Sequence, residues 1–91
     1  IINLLLNYGF APSLKGFKYL VEAIDYVIKF DDNRTEKVIY PTLARKFYTS
    51  NYGIERTIRY SIEITLKDFW LKTGIKPTNK NVITYLALQL K

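Results

Sequence analysis

Five residues between positions 52 and 63 can do recognition chemistry together. At about 100° per residue, Tyr52, Glu55, Arg56, Arg59 and Glu63 fall on one arc of a helix, opposite Ile54, Ile58 and Ile62. An Arg on such an arc can donate two hydrogen bonds to O6 and N7 of guanine, and a Glu can accept one from N4 of cytosine. The adjacent pair Glu55-Arg56 therefore suits a C beside a G. The same spacing also suits a solvated helix face, with Glu55–Arg59 and Arg59–Glu63 as i,i+4 ion pairs worth about 0.3–0.5 kcal/mol each. Pattern alone leaves both readings open.

The segment that must position these side chains runs from Tyr40 to Phe69. A short helix carries Leu43, Ala44 and Phe47 on one side, with the small Ala44 where two helices would cross. A polar turn, Thr49-Ser50-Asn51, comes next, and all three residues favour helix N-caps. A longer helix, about 52–69, repeats Ile54, Ile58, Ile62 and Phe69 near the 3.6-residue period. Short helix, tight turn and long helix make a helix-turn-helix, whose second helix enters the major groove by its first turns. On this reading Tyr52, Glu55, Arg56 and Arg59 read bases. Ser50, Asn51, Arg45, Lys46 and Lys67 meet phosphates, with Lys76 and Lys80 as weaker candidates.

Charge supports that placement. The 91 residues carry a net charge of +6, and residues 1–36 hold four basic and five acidic residues against ten and three in 37–91. The cationic excess lies with the helix-turn-helix and the residues after it, as a phosphate-facing half requires. An anionic membrane surface would attract the same sign, but no apolar run approaches the roughly 20 residues of a membrane span. The absence of Cys and His removes disulfides, thiolate metal sites, the commonest zinc ligand and the commonest general base. No catalytic residues, metal site or cofactor are expected, and the chain reads as no enzyme. The dense acidic spot Asp31-Asp32-Asn33 lacks the further oxygen ligands and turn Gly of a calcium loop. It reads as a loop before a Thr35 N-cap.

The remaining elements are helical. Residues 1–8 form a helix closed by Gly9, and Ser13 caps the next. Leu14 to Phe30 is strongly amphipathic, with Leu14, Phe17, Val21, Ile24 and Ile28 as its apolar stripe, widened by Leu20 and Val27. Lys18–Glu22 and Asp25–Lys29 pair on the far face. Glu36 to Ile39 makes a helical turn into Pro41. Phe69 and Trp70 read as core anchors. Lys72-Thr73-Gly74 ends the pattern, and Thr78 or Asn79 caps a last helix, 80–90, with Ile83, Leu86 and Leu90 inward. The architecture is all-α, a five- or six-helix bundle-like domain spanning 1–91 as one unit. Beginning without Met, and inside a helix, the chain reads as a piece of something longer.

Four stretches carry a resemblance. They are Pro12, Lys15, Gly16, Phe17, Tyr19, Leu20, Ala23 and Ile24; Lys37 to Ser50 (KVIYPTLARKFYTS); Ile54 to Glu63 (IERTIRYSIE); and Lys76 to Asn79 (KPTN). In this order the chain resembles the C-terminal DNA-binding effector domain of the stage-zero sporulation response regulators. The resemblance implies a six-helix domain whose fourth helix reads a CGAA-like box, bound head-to-tail as a dimer on tandem copies. It assigns base contacts to Glu55 and Arg56 and a base-edge or phosphate contact to Arg59. It also implies a cytoplasmic location, an N-terminal receiver domain and a contact with the RNA polymerase sigma subunit. This chain departs from the family at Tyr52-Gly53, where a polar residue and an Arg are usual. Its connector before Lys76 is also shorter, in the region that carries the sigma surface. Those departures motivate an alternative: a protein-interaction or antagonist module that keeps the fold without specific DNA reading.

Overall fold

In the computed structural model, which describes residues 1–91, the longest helix is α2, Lys15–Phe30. It lies against both α4 and α6 and forms the spine of the molecule. In chain order the elements are α1 (Ile2–Asn7), α2, a π-helical turn (Thr35–Ile39), α3 (Tyr40–Lys46), α4 (Asn51–Thr65), α5 (Phe69–Thr73) and α6 (Asn79–Leu90). There are six α-helices and no strand, so the expected all-α class holds. No helix is long and apolar enough to cross a membrane.

One cluster of 21 buried residues runs through the centre. Leu20, Ile24, Ile39, Ile54, Ile58 and Ile83 are wholly buried in it. The buried face of α2 is centred on Leu20, Ala23, Ile24 and Val27, whereas Val21 and Ile28 are only partly covered. The expected stripe was thus rotated by part of a turn. With α4 and α6 both against it, α2 buries a broader face than a single 100° stripe. Phe17 and Gly16 complete that face at the N-terminal end.

Several local expectations are corrected. α4 ends at Thr65, and Phe69 begins a separate short helix, so the long helix predicted over 52–69 is two. Ile62, Ile64 and Thr65 crowd the last turn with β-branched side chains of low helix propensity. Leu66 then leaves the helix buried, and Phe69 packs edge-on against Tyr85 at 5.2 Å between ring centroids. Trp70 is not a core anchor but 51% exposed, and Leu90 is exposed while Val82 and Ala87 fill the core beside Ile83 and Leu86.

The caps differ too. α2 starts from Leu14 without a side-chain cap, and Arg34 rather than Thr35 precedes the π-turn. Of the two caps expected for α6, Thr78 is the one that serves, its Oγ1 accepting from the Asn81 amide. Glu22 pairs across space with Lys46 in place of Lys18, while the Asp25–Lys29 pair forms as expected at 3.2 Å.

The π-turn resolves how the chain passes Pro41. Ile39 N–H reaches back five residues to the Arg34 carbonyl at 3.1 Å. A proline ring crowds the carbonyl four residues behind it, and the wider turn just ahead of Pro41 relieves that crowding. The helical backbone therefore runs without a gap from Thr35 into α3.

Candidate nucleic-acid interface

α3 and α4 are joined by a closure that leaves few degrees of freedom. The Phe47 amide donates to the Leu43 carbonyl at 2.9 Å and the Thr49 amide to the Ala44 carbonyl at 3.0 Å. Tyr48, between them, has φ +55°. This is the left-handed closing geometry of a helix C-terminus, where Gly is the usual residue. One residue after Thr49, Ser50 opens α4, its Oγ accepting from the Gly53 amide at 2.9 Å. A side chain on Gly53 would meet the Thr49 Oγ1 at 2.6 Å. Gly53 thus results from the tightness of the turn, whatever its cost in helix propensity.

Beyond the cap, α4 presents Tyr52, Arg56, Arg59, Tyr60 and Glu63 to solvent. Arg56 makes no ion pair and no hydrogen bond. Arg59, three residues on, is held between two carboxylates: 2.9 Å from its Nη1 to Glu55 Oε1 and 4.0 Å from its Nε to Glu63 Oε1. A free guanidinium and a self-paired one therefore coexist on one face: the i,i+4 pairs expected of a solvated face form at Arg59, and Arg56 is left unpaired. Glu55 is half-buried at the edge of the face, beside the packed side of the helix.

The phosphate candidates are less uniform. Arg45 is exposed in the last turn of α3, and Asn51 is exposed at the start of α4. Ser50 already uses an oxygen lone pair on the Gly53 amide but keeps its hydroxyl proton free to donate. Lys46 is tied to Glu22 and lies 5.8 Å from the centroid of the Phe47 ring. Lys67 stands apart, exposed in the link between α4 and α5. The length of α4 separates it from Ser50, about 22 Å at 1.5 Å per residue.

Two features that sequence pattern did not single out hold α4 in place. Gly16 of α2 passes so close that an added Cβ would sit 1.8 Å from Ser61 Oγ and 3.0 Å from the Thr57 carbonyl. On the other side, the buried Asn79 donates from Nδ2 to the Tyr40 hydroxyl and to the Glu55 carbonyl, each at 2.9 Å. Burial of the Tyr40 phenol pushes its pKa up, offset in part by the bond from Asn79. Both positions lie within the motif stretches, but periodicity marks apolar faces, and neither a missing side chain nor a buried amide registers there. Between the π-turn, α4 and the start of α6 lies an open groove of about 760 Å³. Arg34, Lys37, Arg59, Lys80 and the carboxylates of Glu36, Glu55 and Glu63 line it. No group of three or more acidic residues is placed to hold a metal.

A short α3, a tight closure and a capped α4 with basic residues outward define a helix-turn-helix protein of the DNA-binding class. Residues 1–90 match the family described as sporulation initiation factor Spo0A C terminal, and the chain belongs to that family. It is accordingly a DNA-binding domain of sporulation-linked transcription regulation, in a family of regulators and not of enzymes.

Proposed function

We propose that residues 1–91 act as one sequence-specific unit, with the first turns of α4 in the major groove of a CGAA-type box. Arg56 donates to guanine, Glu55 accepts from the adjacent cytosine, and Arg59 exchanges its carboxylate partners for a base edge or phosphate on docking. Tyr52 lies against a thymine methyl or a phosphate. Ser50, Asn51, Arg45 and Lys46 grip the backbone around the entry point, and Lys67 grips it farther along. The observation that carries this reading is Arg56, an exposed guanidinium with no intramolecular partner in a helix whose other Arg is paired twice. On tandem boxes two copies bind head-to-tail. The bacterial cytoplasmic setting, the N-terminal receiver domain and a sigma-subunit contact near α5 are carried over from the resemblance alone, and the shortened connector counts against the last of them.

The test is an anisotropy titration against a duplex with two tandem CGAA boxes and a scrambled duplex, at about 0.15 M ionic strength. A reader shows a specificity ratio of about 10³ or more. Arg56→Ala should lower affinity for the cognate duplex by about 1–3 kcal/mol and relax one base position. Equal, salt-dependent binding to both duplexes would favour the alternative of an antagonist module, which the self-neutralised Glu55–Arg59–Glu63 row also suits.

A further inference from the structure

Tyr48 occupies the left-handed position between α3 and α4 with φ +55°, and the residue is 96% exposed. An aromatic residue there carries a backbone strain that Gly would avoid. The fold gains nothing in exchange. The ring stacks on no neighbour, and the hydroxyl makes no intramolecular hydrogen bond. Every closing hydrogen bond of the turn is made by backbone atoms, so a residue with no side chain would serve it as well.

What the position does offer is a place. Tyr48 stands two residues before Ser50, outside α4 and at the end of the helix that carries Arg56. With the first turns of α4 in a major groove, a residue on the preceding turn lies over the rim of that groove, where the sugar-phosphate backbone runs and base edges are out of reach. We propose that Tyr48 is an uncharged phosphate clamp, its phenol hydroxyl donating to a backbone phosphate oxygen at the entry end of the recognition helix. The inference rests on the major-groove reading above and adds to it a contact that fixes the register of α4 without reading sequence.

An uncharged clamp has a signature that a Lys or Arg contact lacks. Each cationic phosphate contact displaces condensed counterions, so removing one lowers the slope of log affinity against log salt by about 1. A phenol displaces none. Tyr48→Phe should therefore weaken binding to the tandem-box and scrambled duplexes alike, by about tenfold for one bond to a charged group, with the salt slope unchanged. Arg45→Ala is the comparator and should lower the slope. Tyr48→Gly should bind as weakly as Tyr48→Phe, yet melt higher than the parent by about 2–5 °C through relief of the left-handed strain. A residue with a merely structural role would move stability and affinity in the same direction.

Full affinity in Tyr48→Phe, or an altered salt slope, overturns the clamp. Arg56→Ala run on the same duplexes separates the two layers. If it relaxes specificity while Tyr48→Phe changes nothing, the clamp is wrong and the groove reading stands. If the parent protein shows no preference between duplexes, the groove reading itself has failed.

Discussion

The candidate recognition helix, α4, is held by two unlike contacts. Toward α2 it is held by the absence of a side chain, since Gly16 lets the backbones close until Ser61 Oγ fills the space a Cβ would take. Toward α6 it is held by the presence of one, Asn79, which bonds Tyr40 and the Glu55 carbonyl beside an open groove. The α2 contact fixes how deep α4 sits and tolerates no added atom. The α6 contact ties the Glu55 carbonyl of α4 and the Tyr40 hydroxyl to the buried Asn79, and it depends on polarity. On the major-groove reading proposed above, α4 needs both contacts to hold one pose.

The largest effect should come from crowding the close side. In an open helix Gly→Ala stabilises by up to about 1 kcal/mol; Gly16→Ala should instead cost about 2–3 kcal/mol by overpacking, a Tm loss of roughly 8–20 °C. Adding Ser61→Gly to that variant should return part of the loss, and additive losses would show that the two residues do not touch. Next comes Asn79→Ala, which removes the hydrogen-bond partner of the buried Tyr40 phenol and a second bond to the Glu55 carbonyl. It should cost about 1–3 kcal/mol in denaturant unfolding and blur base discrimination, because Glu55 and its neighbours lose their anchor. A smaller effect still is expected of Ser61→Ala. The Ser61 hydroxyl has no hydrogen-bond partner, so removing it should leave stability within about 0.5 kcal/mol or raise it slightly. A large loss there would mean the α2 side depends on polarity after all.

The weakest perturbation touches only the groove side. Asp32 holds Arg34, which lines the groove, by bonds of 3.0 and 2.8 Å from the guanidinium, and accepts from its backbone amide as well. The Arg34 side chain and amide together lower the Asp32 pKa from 3.8 to about 2. A carboxyl depressed in the folded state contributes stability that is present above its ordinary pKa and lost as pH falls toward the folded one. A small decline in Tm between about pH 4 and pH 2 is expected, and Asp32→Asn should flatten that component. The exposed setting keeps it slight.

The apolar periods of α2, α4 and α6 were readable because burial repeats with the helix, and Ile54, Ile58, Ile62, Ile83 and Leu86 all lie where the pattern puts them. The break after Thr65 was not readable, since Phe69 returns to the same face whether or not the helix is interrupted. Trp70 and Leu90 were misplaced for a related reason: hydrophobicity says that a side chain prefers burial, not that a neighbour is there to cover it. The candidate DNA face was legible as a list of residue types. Its internal division, Arg56 free and Arg59 paired, was legible only in part. Spacing offered i,i+4 carboxylates to Arg59 alone, and both of those pairs form; what it left open was whether Arg56 finds a partner from another element. Asn79 was legible only as a possible cap, and its bonds span 24 and 39 residues, a range that local rules do not reach.

The placement of α6 also dictates an order of events during synthesis. Val82, Ile83, Leu86 and Ala87 are core residues, Gln89 meets Tyr8 across 81 residues, and Asn79 seats the helix that carries Arg56. None of these contacts exists until residues 79–90 have left the ribosome. A nascent chain that has already made α1 through α5 holds its candidate recognition residues without the contacts by which α6 seats α4. α6 is thus the element that seats α4, and a chain interrupted before it would carry the candidate contact residues without that seat.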